Sequence, residues 1–99
     1  MVELKQILIY LSANKDRFRR DYHIIRIGVF GSISRGDQHN KSDMDLIVEF
    51  EEGTLDLFTI KQKLKAEIQT KFNVPVDICR EKYIKPIFKA LILSEVKYA

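Results

Sequence analysis

The stretch Ile24-Ile25-Arg26-Ile27-Gly28-Val29-Phe30 runs straight into Gly31-Ser32-Ile33-Ser34-Arg35-Gly36 and is followed shortly by Asp43-Met44-Asp45-Leu46-Ile47-Val48-Glu49-Phe50. Ile24–Phe30 is rich in β-branched and aromatic residues, which suit a pleated, half-buried surface, so it reads as a strand ending at Gly31. Residues 43–50 alternate. Met44, Leu46, Val48 and Phe50 share one side, while Asp43, Asp45, Ile47 and Glu49 share the other. A glycine-bounded turn therefore separates two strands, the second of which carries two carboxylates on one face.

Outward from this centre, the apolar spacing turns helical. Leu4, Ile7, Leu8, Leu11 and Phe18 predict one amphipathic helix over residues 2–19. Gly53 marks a turn, and Leu57, Ile60, Leu64, Ile68 and Phe72 predict a second long helix, with Asn73 as a left-handed cap. Residues 74–79 read as a short strand. Ile84, Ile87, Phe88, Leu91, Ile92 and Val96 form a third helical face, with Pro86 in its first turn. The order is helix, strand, turn, strand, helix, strand, helix. It predicts an α/β (α+β) fold, a small mixed sheet with helices packed on it. The Leu, Ile and Phe stripes are expected to be core.

Composition bounds the rest. Ninety-nine residues, 45% hydrophobic with four Tyr and six Phe, predict a single domain over residues 1–99 with one modest core. That length leaves no room for separate catalytic and substrate domains. The one cysteine, Cys79, excludes an internal disulfide and fits a reducing compartment. With no His or Cys at ligand spacing, it reads as a small core hydrophobe. The first residues lack a basic leader, and no apolar run approaches the roughly 20 residues that cross a bilayer. The expectation is a soluble cytoplasmic protein without membrane contact. Seventeen basic residues against fourteen acidic ones leave a net charge of +3. The one dense basic stretch, residues 17–20, falls at a helix end, where cations favour the dipole, and reads as solvated. Nucleic acid is therefore not expected as a direct ligand.

Three features carry chemistry. A glycine at a strand end lets the chain turn sharply and lets backbone approach a ligand. If Ser32 opens a short helix, its free N–H groups and hydroxyl make an anion site, although Gly-Ser is also common in plain turns. No Lys-Ser/Thr follows Gly36 and no Gly-x-Gly-x-x-Gly is present, so this is not a standard nucleotide loop. Asp43 and Asp45 repel one another unless a cation such as Mg²⁺ lies between them. The alternative is a pair of solvated strand-start residues, yet Asp is a poor strand former. No EF-hand ligands follow. Asp77, between Val76 and Ile78, looks buried and so needs a partner: either a Lys or Arg, or a metal shared with Asp43 and Asp45.

Gly31-Ser32, ten residues, then Asp43-x-Asp45, with Arg35-Gly36 between and a later strand carboxylate, closely resembles the minimal nucleotidyltransferases of the DNA polymerase β-like superfamily. The resemblance covers nearly the whole chain. It implies that Asp43, Asp45 and Asp77 are the catalytic, metal-holding residues for two Mg²⁺ ions. It implies nucleotide binding by Gly31 and Ser32 at the β- and γ-phosphates, with Arg35 touching phosphate or bracing the turn. His39, Asn40 and Ser42 read as loop residues, and His23 only precedes a strand. Small members of this family resemble antitoxins paired with helical HEPN-type ribonuclease toxins, which implies AMP transfer from ATP to a toxin tyrosine. Two alternatives stand beside this. One is a non-catalytic module that masks its partner. The other is a catalytic subunit acting on a small-molecule or RNA acceptor held by another subunit.

Overall fold

The structure, a computed structural model, describes residues 2–37 and 43–99. His39, Asn40 and Ser42 therefore lie outside the described residues. Helices α1 (Leu4–Ala13) and α2 (Lys15–Tyr22) precede strand β1 (Ile24–Phe30), the five-residue helix α3 (Gly31–Arg35) and strand β2 (Met44–Phe50). Helix α4 (Leu57–Phe72), strand β3 (Val76–Arg80), a 3₁₀ turn over Glu81–Tyr83, helix α5 (Pro86–Glu95) and strand β4 (Lys97–Tyr98) follow. The strands form one mixed sheet in the order β3-β2-β1-β4. β1 runs antiparallel to β2 and β4, while β2 and β3 are parallel. The mixed sheet with packed helices is the architecture the alternation implies.

The core lies on one face of that sheet. Met44, Leu46, Val48 and Phe50 of β2 join Ile27 and Val29 of β1 and Val76 and Ile78 of β3, all buried. Ile7 and Leu11 of α1, Phe18 of α2, and Leu64 and Ile68 of α4 close over them. Burying each such side chain favours folding by about 1.5–3 kcal/mol. Ile33 plugs into the same cluster from α3. It thereby anchors the turn that follows β1. The opposite face carries Asp45, Ile47 and Glu49.

Three expectations about the elements need correction, and one strand went unread. The single helix over residues 2–19 is two helices, because Asn14 leaves the helical path at φ −109° and ψ 9°. Its amide donates to the Tyr10 carbonyl (2.8 Å) and its Oδ1 accepts from Arg17 Nε (3.2 Å). Asn offers the backbone such alternatives readily, and the break turns Phe18 into the core. The basic stretch is not uniformly solvated: Arg17 grips Glu67 of α4 at 2.6 and 3.0 Å. The third apolar stripe does form a helix, with Pro86 at its start as expected, but no residue of α5 is buried. Ile87 is 81% exposed, and Phe88 and Leu91 are also exposed. A helical stripe reports amphipathicity, not what covers it. α1, α2 and α4 already fill the core face, so α5 rests on α3 and β1 instead. Finally β4, too short to show a period, pairs with β1 through Gly28↔Tyr98 and Val29↔Lys97. A Cβ at Gly28 would stand 2.7 Å from Val96 Cγ1, so only glycine admits the chain this close.

Among the described residues, no helix is long and apolar enough to cross a membrane.

Candidate active site

β-register assembles the carboxylates. The Met44 N–H donates to the Pro75 carbonyl (2.9 Å), and the parallel ladder then sets Asp45 opposite Asp77. On its other side Asp45 faces Phe30, the last residue of β1. Side chains directly opposite share a face, so Asp45 and Asp77 stand together beside the β1–α3 turn. Asp43 immediately precedes β2. Burial raises the Asp45 carboxyl above the usual range, and the charges of Asp77 and Asp43 add to the rise, with Arg35 partly opposing it. Asp77, expected to be buried, is exposed on the strand's open face. Its neighbours Val76 and Ile78 point into the core instead. The desolvation argument for a cationic partner therefore lapses, and among the described residues Asp77 makes no ion pair.

Gly31 begins α3 with a positive φ of 78°. A Cβ there would overlap Asp45 Oδ2 and crowd Asp45 Cγ at 3.1 Å. The glycine thus makes room for the carboxylate itself, a constraint that turn propensity could not reveal. Ser32 sits in the first turn of α3, next to Asp45's neighbour. The Ser34 hydroxyl donates to the Glu95 carbonyl at the end of α5. Arg35 donates to Asp37 (Nε, 3.0 Å) and Glu95 (Nη1, 3.1 Å), which braces the turn against α5.

Three carboxylates, all oxygen donors, match the chemistry of a hard divalent cation. Their mutual electrostatic penalty at Asp45 is the kind a cation reverses. Among the described residues no three His, Cys, Asp or Glu side chains already stand at coordinating distance, so binding an ion would draw these groups together.

Comparisons with known proteins identify the family to which this fold belongs. The nucleotidyltransferase domain model matches residues 11–99. The chain belongs to the nucleotidyltransferase family. The protein adenylyltransferase MntA of Thermococcus cleftensis is 32% identical over 100 residues, covering 99% of this chain and 97% of that protein. A solved structure described as a minimal nucleotidyltransferase superposes with a TM-score of 0.78 at 30% identity, over 97% of this chain and 95% of that one. A crystal structure of a toxin–antitoxin with AMP-PNP shares the fold, with a TM-score of 0.67 at 20% identity, over 88% of this chain and 70% of that one.

Two features of this nucleotidyltransferase escaped the sequence reading. Cys79, expected in the core, is half-buried on the carboxylate face, opposite Ile47. Burial pushes its thiol pKa up, and the charges of Asp77 and Asp45 push it further. Beyond it, Arg80 Nη2 pairs with Glu49 Oε1 at 2.6 Å, each side chain only 13% exposed. The Arg80 guanidinium lies over the rings of Tyr83 (5.0 Å) and Phe50 (5.8 Å), and its buried Nε has no hydrogen-bond partner among the described residues. Alternation gave no signal for this pair, because it sets Glu49 on the Asp45 face and Arg80, opposite Val48, on the other. Nothing local announced Arg80 as its partner.

Proposed function

We propose that this nucleotidyltransferase moves AMP from ATP onto a hydroxyl of a protein partner, a tyrosine of a HEPN-type ribonuclease toxin, and so acts as a cytoplasmic antitoxin working as one domain over residues 1–99. The observation that carries this reading is the register of Asp45 with Asp77 beside Gly31. The full-length likeness to a protein adenylyltransferase supports the protein acceptor.

Asp43, Asp45 and Asp77 would hold Mg²⁺, which when bound neutralises triphosphate charge and acidifies an attacking hydroxyl. Gly31 and Ser32 hold the β- and γ-phosphates through backbone N–H groups and the Ser32 hydroxyl. Arg35 serves the nucleotide as a brace, fixing the turn through Asp37 and Glu95. The phenolic oxygen forms a bond to the α-phosphorus, the α–β bridging P–O bond breaks, and its electron pair leaves on pyrophosphate. The phenolic proton passes to water.

Incubation with α-labelled ATP, Mg²⁺ and a HEPN-type partner protein tests this. The partner should gain mass in whole AMP units, with pyrophosphate released in equal amount. Label that stays entirely in ATP would defeat the reading.

A further inference from the structure

A groove of about 340 Å³ lies between β3, the 3₁₀ turn and α5, lined by Cys79, Ile84, Phe88, Ile92, Lys61 and Lys85. Its position relative to the carboxylates follows from the sheet order. Gly31 and Ser32 sit at the end of β1, Asp45 on β2, and Asp77 on β3. Cys79 is two residues beyond Asp77 on the same strand and so shares its face. The groove therefore meets the carboxylate face at β3, the strand separated from β1 and its phosphate turn by β2, with Cys79 two residues along from Asp77. In an in-line displacement the leaving pyrophosphate and the attacking oxygen stand on opposite sides of the α-phosphorus. With pyrophosphate at Gly31–Ser32, the acceptor arrives from the β3 side.

We propose that this groove is the acceptor site, and that it receives a tyrosine ring flanked by acidic residues on the partner's surface. This rests on the nucleotidyl-transfer reading above. The lining is apolar and aromatic, which favours a flat ring. A tyrosine carries its oxygen at the far end of a rigid ring, so it fills the groove and still presents a hydroxyl towards Asp77. A serine or threonine hydroxyl sits too close to its own backbone to do both. Lys61 and Lys85 stand at the groove without an ion-pair partner among the described residues. Their charges complement carboxylates beside the tyrosine. The exposed Tyr83, Ile87 and Leu91 continue the apolar surface outward, where neighbouring residues of the partner would rest.

The test uses three acetylated pentapeptides: a tyrosine between acidic pairs, the same tyrosine between lysine pairs, and a phenylalanine between acidic pairs. Binding is followed by amide chemical shifts of the whole protein, and transfer by mass after incubation with ATP and Mg²⁺. Both acidic peptides should shift Cys79, Arg80, Ile84 and Phe88, and only the tyrosine one should become heavier by AMP. Phe88→Ala, and independently the surface change Lys85→Glu, should raise KM for the acidic tyrosine peptide about tenfold with ATP binding unchanged. Lys85→Glu should also narrow the preference over the lysine-flanked peptide. Shifts that fall elsewhere, no shifts at millimolar peptide, or KM values unaltered in both variants would overturn the groove assignment. Groove binding with ATP never split would leave the groove as a peptide site and sink the transfer reading instead.

Discussion

Asp45 is half-buried beside two like charges, an arrangement that costs the folded chain. Its carboxyl pKa lies above the usual range, chiefly through burial and then through Asp77 and Asp43. For an acid, a folded pKa above the unfolded one means that ionisation weakens the fold as pH rises through that raised value. Asp45→Asn should therefore leave thermal stability at pH 7, without Mg²⁺, equal to the parent's or higher, while nucleotidyl transfer falls by orders of magnitude. Calorimetry and a transfer assay on one preparation check both halves. A destabilised variant would contradict the electrostatic account, and a fully active one the catalytic account. Gly31 is tied to the same carboxylate. Gly31→Ala should cost about 1–2 kcal/mol in left-handed backbone strain. It should also displace Asp45, lowering transfer by about a hundredfold. Unchanged transfer in that variant would mean the Gly31–Asp45 contact is irrelevant to chemistry.

At the scale of elements, α2 is fastened to α4 by one polar cluster. Arg17 forks onto both oxygens of Glu67, and the hydroxyls of Tyr10 and Tyr22 donate to the same carboxylate at 2.6 and 2.9 Å. The Arg17 hydrogen bond, aided by the two tyrosines, holds Glu67 below its ordinary value of 4.5 against the opposing effect of burial. The same neighbour, after burial, helps push the Tyr10 phenol up to about 12. A carboxyl whose folded pKa is depressed stabilises fully above its unfolded value and loses that contribution as pH falls through the folded one. Glu67→Gln should thus lower stability at pH 7 by about 1–2 kcal/mol, a figure tempered by partial exposure of the pair. Between about pH 4.5 and lower values, the variant should lose less stability than the parent. Urea melts at pH 7 and pH 3.5 read the difference directly. Parallel losses in the two proteins would show that Glu67 is not linked to acid sensitivity. The apolar count placed Arg17 on one continuous helix over residues 2–19, but Asn14's local hydrogen bonds, invisible to that count, decided where α2 points.

The whole molecule presents a carboxylate site and an exposed apolar helix side by side. Such a surface could serve catalysis or a purely steric mask, and Asp77 separates the two. Asp77→Asn removes one exposed carboxyl, which is little of a partner interface of ordinary size. In cells carrying the proposed toxin partner, an enzymatic antitoxin with this change should still bind yet fail to protect. Partner co-purification, cell survival and the partner's mass together give the answer. Full protection with an unmodified partner would establish masking.

Much of this was legible in the sequence by itself. β1, β2 and α4 with its Asn73 cap lie where alternation and helical spacing put them, because those periods reflect backbone geometry and one-sided burial within a single segment. The same alternation set Asp43 and Asp45 on the side away from the core. The tertiary structure alone decided the rest. The parallel pairing of β2 with β3 set Asp77 against Asp45, the packing of α3 on Asp45 made position 31 too tight for a Cβ without moving that carboxylate, and a core already filled by three helices left α5 exposed. Each of these joins segments distant in the chain, and a local period records what a segment must hide without recording which partner hides it.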